Sequence, residues 1–84
     1  MSRKHDRVLQ AIFDVPTRSN IAWGDAVSAL EGRGVLVAPS GGSRFRLAAN
    51  GIKMVVHRPH PGSEMSKPLV ERVRRFCEQV GVLP

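Results

Sequence analysis

The side chains with the most evident chemical capacity lie in one short segment, residues 41–62, with the sequence GGSRFRLAANGIKMVVHRPHPG. Two of the chain's three histidines occur here, and an imidazole can accept or donate a proton near neutral pH. Basic side chains accompany them, and a fixed cation can stabilise developing negative charge. The segment therefore predicts a site that binds an anion and can transfer protons. Its candidate groups are Arg44, Arg46, Lys53, His57, Arg58 and His60.

A predicted β-hairpin positions these groups. Residues 43–49 and 52–57 both alternate between apolar and polar side chains, and Asn50-Gly51 between them is a strong signal for a tight turn. A two-residue turn places Arg44 directly opposite His57, and a four-residue turn would shift the pairing but keep the same faces. The hairpin is then apolar on one face (Phe45, Leu47, Met54, Val56) and polar on the other (Arg44, Arg46, Lys53, His57).

Helices must cover the apolar face. Apolar side chains recur at helical spacing in residues 4–13, 22–32 and 67–80, and residues 35–38 form a short apolar strand. The resulting order is α-α-β-β-β-α. The predicted fold class is α+β, with a three-stranded antiparallel sheet and helices packed on one of its faces.

Three further expectations concern helix ends and the core. Ser66 and Gly81 are expected to cap the last helix, and Ser19 or Asn20 to cap the second. Cys77 falls on the apolar stripe of the last helix, so we expect it in the core and not in catalysis.

Composition favours a small domain that binds a polyanion. The 84 residues include 13 basic and 7 acidic side chains, a formal charge of +6. No Asp or Glu occurs in the 32 residues between Glu31 and Glu64. Clustering of cations on one face is typical of nucleic-acid binding, whereas an ordinary solvated surface is the alternative interpretation. With no signal-peptide pattern and no apolar run long enough for a bilayer, we expect one cytoplasmic domain, 1–84, without membrane contact.

No cofactor or metal site is expected. His57, His60 and Glu64 could be considered as metal ligands, but a proline-rich loop organises such ligands poorly. The sequence SGGS at 40–43 is too short for a phosphate-binding loop and no helix follows it.

The sequences GSRFRL (42–47), HRPHP (57–61) and VRRFCEQVGV (73–82) occur in an order that resembles the HicA-type toxins of bacterial toxin–antitoxin pairs. The likeness covers residues 21–83 and leaves 1–15 as an additional N-terminal helix. The resemblance implies a double-stranded-RNA-binding-like fold, metal-independent cleavage of mRNA, and inhibition by a HicB-type antitoxin that covers the site. Such folds contact phosphates and 2′-hydroxyls more than bases.

The resemblance also implies a catalytic histidine directly after Gly-Ser, where this chain has Arg44. An arginine stays protonated and cannot exchange protons near neutral pH. His57, opposite Arg44, could supply the imidazole, with His60 as the second proton-transfer group. Arg44 or Arg46 could supply the cation that stabilises the phosphorane. The predicted RNA-binding residues are Ser43, Arg44, Arg46, Lys53, Arg58 and Lys67.

Two other functions stay open. The chain could bind RNA without cleaving it, or it could be a protein-interaction domain that docks on an acidic partner. Arginines of the last helix (Arg72, Arg74, Arg75) could extend an RNA contact. The edge of strand 35–38 could pair with a strand of a partner, and a homodimer stays open as well.

Overall fold

The computed structural model describes residues 3–60 and 62–84. The first two residues of the N-terminal segment and Pro61 of the HRPHP sequence lie outside the described residues. The elements are α1 (Arg3–Ile12), α2 (Trp23–Gly32), β1 (Leu36–Pro39), β2 (Arg44–Ala49), β3 (Ile52–His57) and α3 (Lys67–Val80). The strands form one antiparallel sheet in the order β1-β2-β3. The predicted α+β class and element order are confirmed, and the arrangement is consistent with a double-stranded-RNA-binding-like fold.

The β2–β3 hairpin has the predicted two-residue turn. Asn50 and Gly51 have φ angles of 50° and 78°, and a type I′ turn requires positive φ at both central residues. Arg44 pairs with His57 in the resulting register. The side-chain Nδ2 of Asn50 also donates a hydrogen bond of 2.7 Å to Val80 O, which attaches the turn to the end of α3.

The two faces of the hairpin differ as predicted. Leu47 and Val56 are fully buried, and Phe45 and Met54 are half-buried against the same core. Trp23 of α2 packs edge-on against Phe45, with ring centroids 5.7 Å apart, so the indole is a packing group. The opposite face exposes Arg44, Arg46, Lys53 and His57.

The caps of α3 are those that the sequence predicts. The hydroxyl of Ser66 accepts a hydrogen bond of 3.4 Å from the Leu69 N–H, and Gly81 ends the helix with a left-handed φ of 79°. The buried stripe of α3 consists of Leu69, Val70, Val73, Phe76, Cys77 and Val80. Within residues 3–60 and 62–84, none of the helices has the length and apolar character needed to cross a bilayer.

The predicted cap of α2 is wrong. Neither Ser19 nor Asn20 caps the helix, because its N-cap is Ala22, which makes no side-chain capping bond. A tertiary hydrogen bond satisfies the helix start instead: the backbone N–H of Trp23 donates to Ser63 O at 2.7 Å. The segment before α3 thus pairs with the segment before α2, and both helices begin at the same end of the sheet.

The guanidinium of Arg74 joins α3 to the end of α1. It donates hydrogen bonds to Ile12 O at 2.8 Å, to Asp14 O at 3.1 Å and to Thr17 Oγ1 at 3.0 Å. These bonds satisfy carbonyl groups that have no partner inside the helix. Of the three α3 arginines considered for RNA contact, Arg74 therefore has a structural role.

We expect Arg74→Ala to lower the free energy of unfolding by about 2–3 kcal/mol, because half-buried carbonyl groups lose a charged donor. Urea denaturation followed by circular dichroism measures the change. Arg75→Ala is the matched control, since Arg75 is the exposed neighbour on the same helix, and should change stability by less than about 0.5 kcal/mol. Equal effects of the two substitutions would contradict the structural role of Arg74.

Candidate active site and nucleic-acid interface

The start of β2 and the end of β3 bring four predicted site residues together. Arg44 pairs with His57, and the backbone N–H of Arg58 donates to Ser43 O at 2.9 Å. The ladder therefore continues one pair beyond the strand ends. Backbone geometry alone holds Ser43, Arg44, His57 and Arg58 side by side.

Next to the end of β3, a cleft of about 520 Å³ opens toward the first turns of α3. His57 and His60 both line this cleft, together with Arg58. Glu64 and Arg72 complete its charged lining. The structure thus places the two predicted catalytic histidines in one cleft that two arginines also line.

The sequence names Arg72 among the helix arginines that could extend an RNA contact, but it does not predict that Arg72 lines a cleft with the two histidines. Helical spacing puts it one turn after Pro68 and Leu69, which also line the cleft, but the sequence does not show which strand α3 packs beside. In the structure its Nη2 donates a hydrogen bond of 3.0 Å to Val55 O on β3.

Arg44 occupies a different position from the cleft arginines. It is exposed on the open face of the sheet, and its Nε donates a hydrogen bond of 3.4 Å to Gly41 O. It is not among the residues that line the cleft. Gly41 and Gly42 have φ angles of 94° and 58°, so the turn on which Arg44 folds back depends on glycine.

The open sheet face is basic but not purely polar. Arg46 lies in the middle strand between Ala38 of β1 and Val55 of β3. Leu36 is 72% exposed and Val55 is 42% exposed. The alternation of β2 and β3 predicts the position of Val55 on this face, whereas the continuously apolar sequence of β1 conceals which of its side chains is exposed.

Positive charge is concentrated on the sheet and α3. Residues 36–84 contain eight basic and three acidic side chains, a net charge of +5. Among residues 3–60 and 62–84, the salt bridges all lie in the first 33 residues, which leaves the later cations without an acidic partner. The pairs are Lys4–Asp25, Arg18–Asp14 and Arg33–Asp6.

Glu64 shares the cleft with His57 and His60. In the described part of the chain, however, no three His, Cys, Asp or Glu side chains are grouped so that they could hold a metal ion.

Cys77 has no part in the cleft. Its side chain is fully buried in α3, as predicted, and burial, with a smaller contribution from Glu78, raises the pKa of the thiol to about 11. Because the folded state favours the neutral thiol, the protonated thiol contributes to stability. This contribution is complete below about pH 9 and is lost as the pH rises toward 11.

We therefore expect a thiol reagent such as dithiobis(nitrobenzoate) to leave the native protein unmodified at pH 8, because the reagent needs an accessible thiolate. Urea should release the reaction in parallel with unfolding measured by circular dichroism. Equal rates in native and unfolded protein would contradict the buried position.

In a comparison with family models, the model described as HicA toxin of bacterial toxin-antitoxin matches residues 23–82. The match covers 60 of the 84 residues and includes every element except α1. No curated protein and no solved structure matches the chain significantly. A match over more than two thirds of the chain establishes membership, and the protein belongs to the HicA toxin family of bacterial toxin–antitoxin pairs.

Proposed function

We propose that this toxin is a metal-independent endoribonuclease that cleaves mRNA in the cleft beside β3. The observation that carries the proposal is the presence of His57 and His60 in one cleft with Arg58 and Arg72, at the end of a basic sheet face. Two imidazoles can serve as the base and the acid of RNA cleavage, and the guanidinium groups supply the positive charge that a phosphorane needs.

The chemistry is a transesterification in which the 2′-oxygen displaces the 5′-oxygen from phosphorus. One imidazole, in its neutral form, takes the proton of the ribose 2′-OH, and the 2′-oxygen attacks phosphorus. The second imidazole, in its charged form, protonates the leaving 5′-oxygen as the P–O5′ bond breaks. The products are a 2′,3′-cyclic phosphate and a 5′-hydroxyl. His57 and His60 can divide these roles because each alone supplies one proton-transfer group.

The open face of the sheet would guide the RNA backbone to the cleft. Arg44, Arg46 and Lys53 are exposed on it, and Arg58 lines the cleft itself. Ser43 lies beside Arg58 in the ladder, and Lys67 is exposed at the start of α3. Contacts of this kind bind phosphates and confer little base selectivity.

The family assigns the toxin a protein antitoxin, and we infer that a HicB-type antitoxin inhibits it by covering the cleft. Eight basic side chains in residues 36–84 against three acidic ones favour an acidic contact surface on that partner. The other association to test is a homodimer through β1, which is an edge strand of the sheet. Light scattering would detect such a dimer.

The direct test incubates the purified toxin with end-labelled RNA in excess chelator and analyses the new termini. We expect cleavage to persist in the chelator and the upstream fragments to end in a 2′,3′-cyclic phosphate. Induced expression without the antitoxin should arrest growth. Binding without cleavage would support the alternative function, an RNA-binding module. The observation that favours this alternative is Arg44, at the place where the resemblance implies a histidine.

We expect RNA affinity to fall steeply with salt, because each phosphate contact releases counterions. Arg46→Ala and Lys53→Ala should each reduce the slope of log affinity against log salt by about one unit, measured by fluorescence anisotropy. Arg7→Ala is the control, since Arg7 is an exposed cation of α1, on the helical side of the sheet. A wild-type slope near zero would favour docking on an acidic protein instead of RNA.

A further inference from the structure

We propose that Arg72 holds the scissile phosphate in the cleft between His57 and His60. The inference rests on the proposed ribonuclease function and assigns the phosphate-binding role to a residue of α3. The guanidinium donates hydrogen bonds to the non-bridging oxygens and stays protonated throughout, so it moves no proton.

The hydrogen-bond pattern of the hairpin explains how Arg72 is placed. Because Arg58 N–H bonds Ser43 O, alternate pairs of the ladder are bonded, and Val55 and His57 fall in the non-bonded pairs. Their backbone polar groups therefore point away from β2, toward the free edge of β3. Arg72 donates to Val55 O at this edge, one strand repeat of about 7 Å before His57.

The anchored guanidinium retains the capacity to bind an anion. It has five N–H donors, and the contact with Val55 occupies Nη2. In the described part of the chain Arg72 has no salt-bridge partner, and its side chain is exposed in the cleft. A planar donor group held at one end loses less conformational freedom when it binds phosphate than a free side chain does.

The other two arginines near the histidines are less suited to this role. Arg44 is turned onto Gly41 O and does not line the cleft. Arg58 does line the cleft, but within residues 3–60 and 62–84 the bond that holds it comes from its backbone N–H, to Ser43 O. Among the described contacts of these three arginines, those of Arg72 combine a place in the cleft with a hydrogen-bonded guanidinium.

The test compares Arg72→Met, which keeps the apolar stem and removes the charge, with Arg75→Met on the same helix outside the cleft. Single-turnover cleavage should fall about 10²–10³-fold in Arg72→Met, the usual loss for one transition-state donor. The pH profile should stay bell-shaped, because both imidazoles remain. Arg75→Met should cleave like the wild type. Cleavage by Arg72→Met at the rate of Arg75→Met would overturn the proposal.

A binding measurement separates failure of this inference from failure of the nuclease function. An RNA oligonucleotide with a 2′-deoxyribose at the scissile position cannot be cleaved, so its affinity reports binding without cleavage. We expect Arg72→Met to weaken this affinity about tenfold relative to Arg75→Met. If the wild type does not cleave RNA, the nuclease function fails, and equal affinities of the two variants would then exclude the phosphate contact as well. If circular dichroism shows that Arg72→Met is unfolded, Arg72→Lys, which keeps the charge, replaces it. We expect Arg72→Lys to lose part of the cleavage rate and part of the RNA affinity. Wild-type values of both would contradict the proposal.

Discussion

Replacing His57 with alanine is expected to lower the rate of RNA cleavage by about 10²–10⁴-fold, the usual contribution of one proton-transfer group. His57 lines the cleft with His60 and is exposed at the end of β3, so the substitution removes an imidazole without opening the core. Single-turnover cleavage of a short RNA at saturating toxin measures the effect, and relief of growth arrest on induction should accompany it.

Lys53→Ala is the matched control for this experiment. Lys53 belongs to the same strand and the same exposed face as His57, but it lies beyond the cleft lining. The control should lose RNA affinity and keep the cleavage rate at saturation. His60→Ala should resemble His57→Ala, and the double variant should lose little more, because groups that act as a unit are not additive. Full activity of His57→Ala would exclude this imidazole from the reaction.

Introducing histidine at position 44 is expected to restore cleavage at least tenfold in the His57→Ala background. Arg44 and His57 form a directly opposed pair, so their Cβ atoms are about 4.5–5.5 Å apart and the new imidazole reaches the same space. The resemblance also implies a histidine at this place. Cleavage assays on His57→Ala and on the double variant Arg44→His/His57→Ala measure the gain.

Position matters for this rescue, and a second histidine on the same face provides the control. Lys53→His in the His57→Ala background places an imidazole farther along the strand, and it should restore nothing. If Arg44→His retains RNA affinity but does not restore cleavage, an imidazole on β2 cannot replace the one at the end of β3. Cleavage by Arg44→His in a chain whose wild type is inactive would identify a toxin that binds RNA without cleaving it.

Much of the hairpin follows from local sequence. Asn50-Gly51 specifies its turn type, because both residues adopt positive φ at low cost. Alternation in the two strands then determines the pairing, since a slip of one residue would bury the basic side chains. The opposition of Arg44 and His57 follows directly. Ser66 and Gly81 likewise mark the ends of α3 through interactions within one turn of the chain.

The cleft depended on packing that local patterns do not encode. The sequence determined that His57 ends a strand and that Arg72 lies on a helix, but only the tertiary structure placed that helix beside the free edge of β3, where Val55 O was available. The start of α2 shows the same limit, because Ser63 O takes the place of the expected side-chain cap. Turn type, alternation and caps arise from neighbouring residues, whereas these contacts join segments far apart in the chain and form only when the apolar faces are buried together.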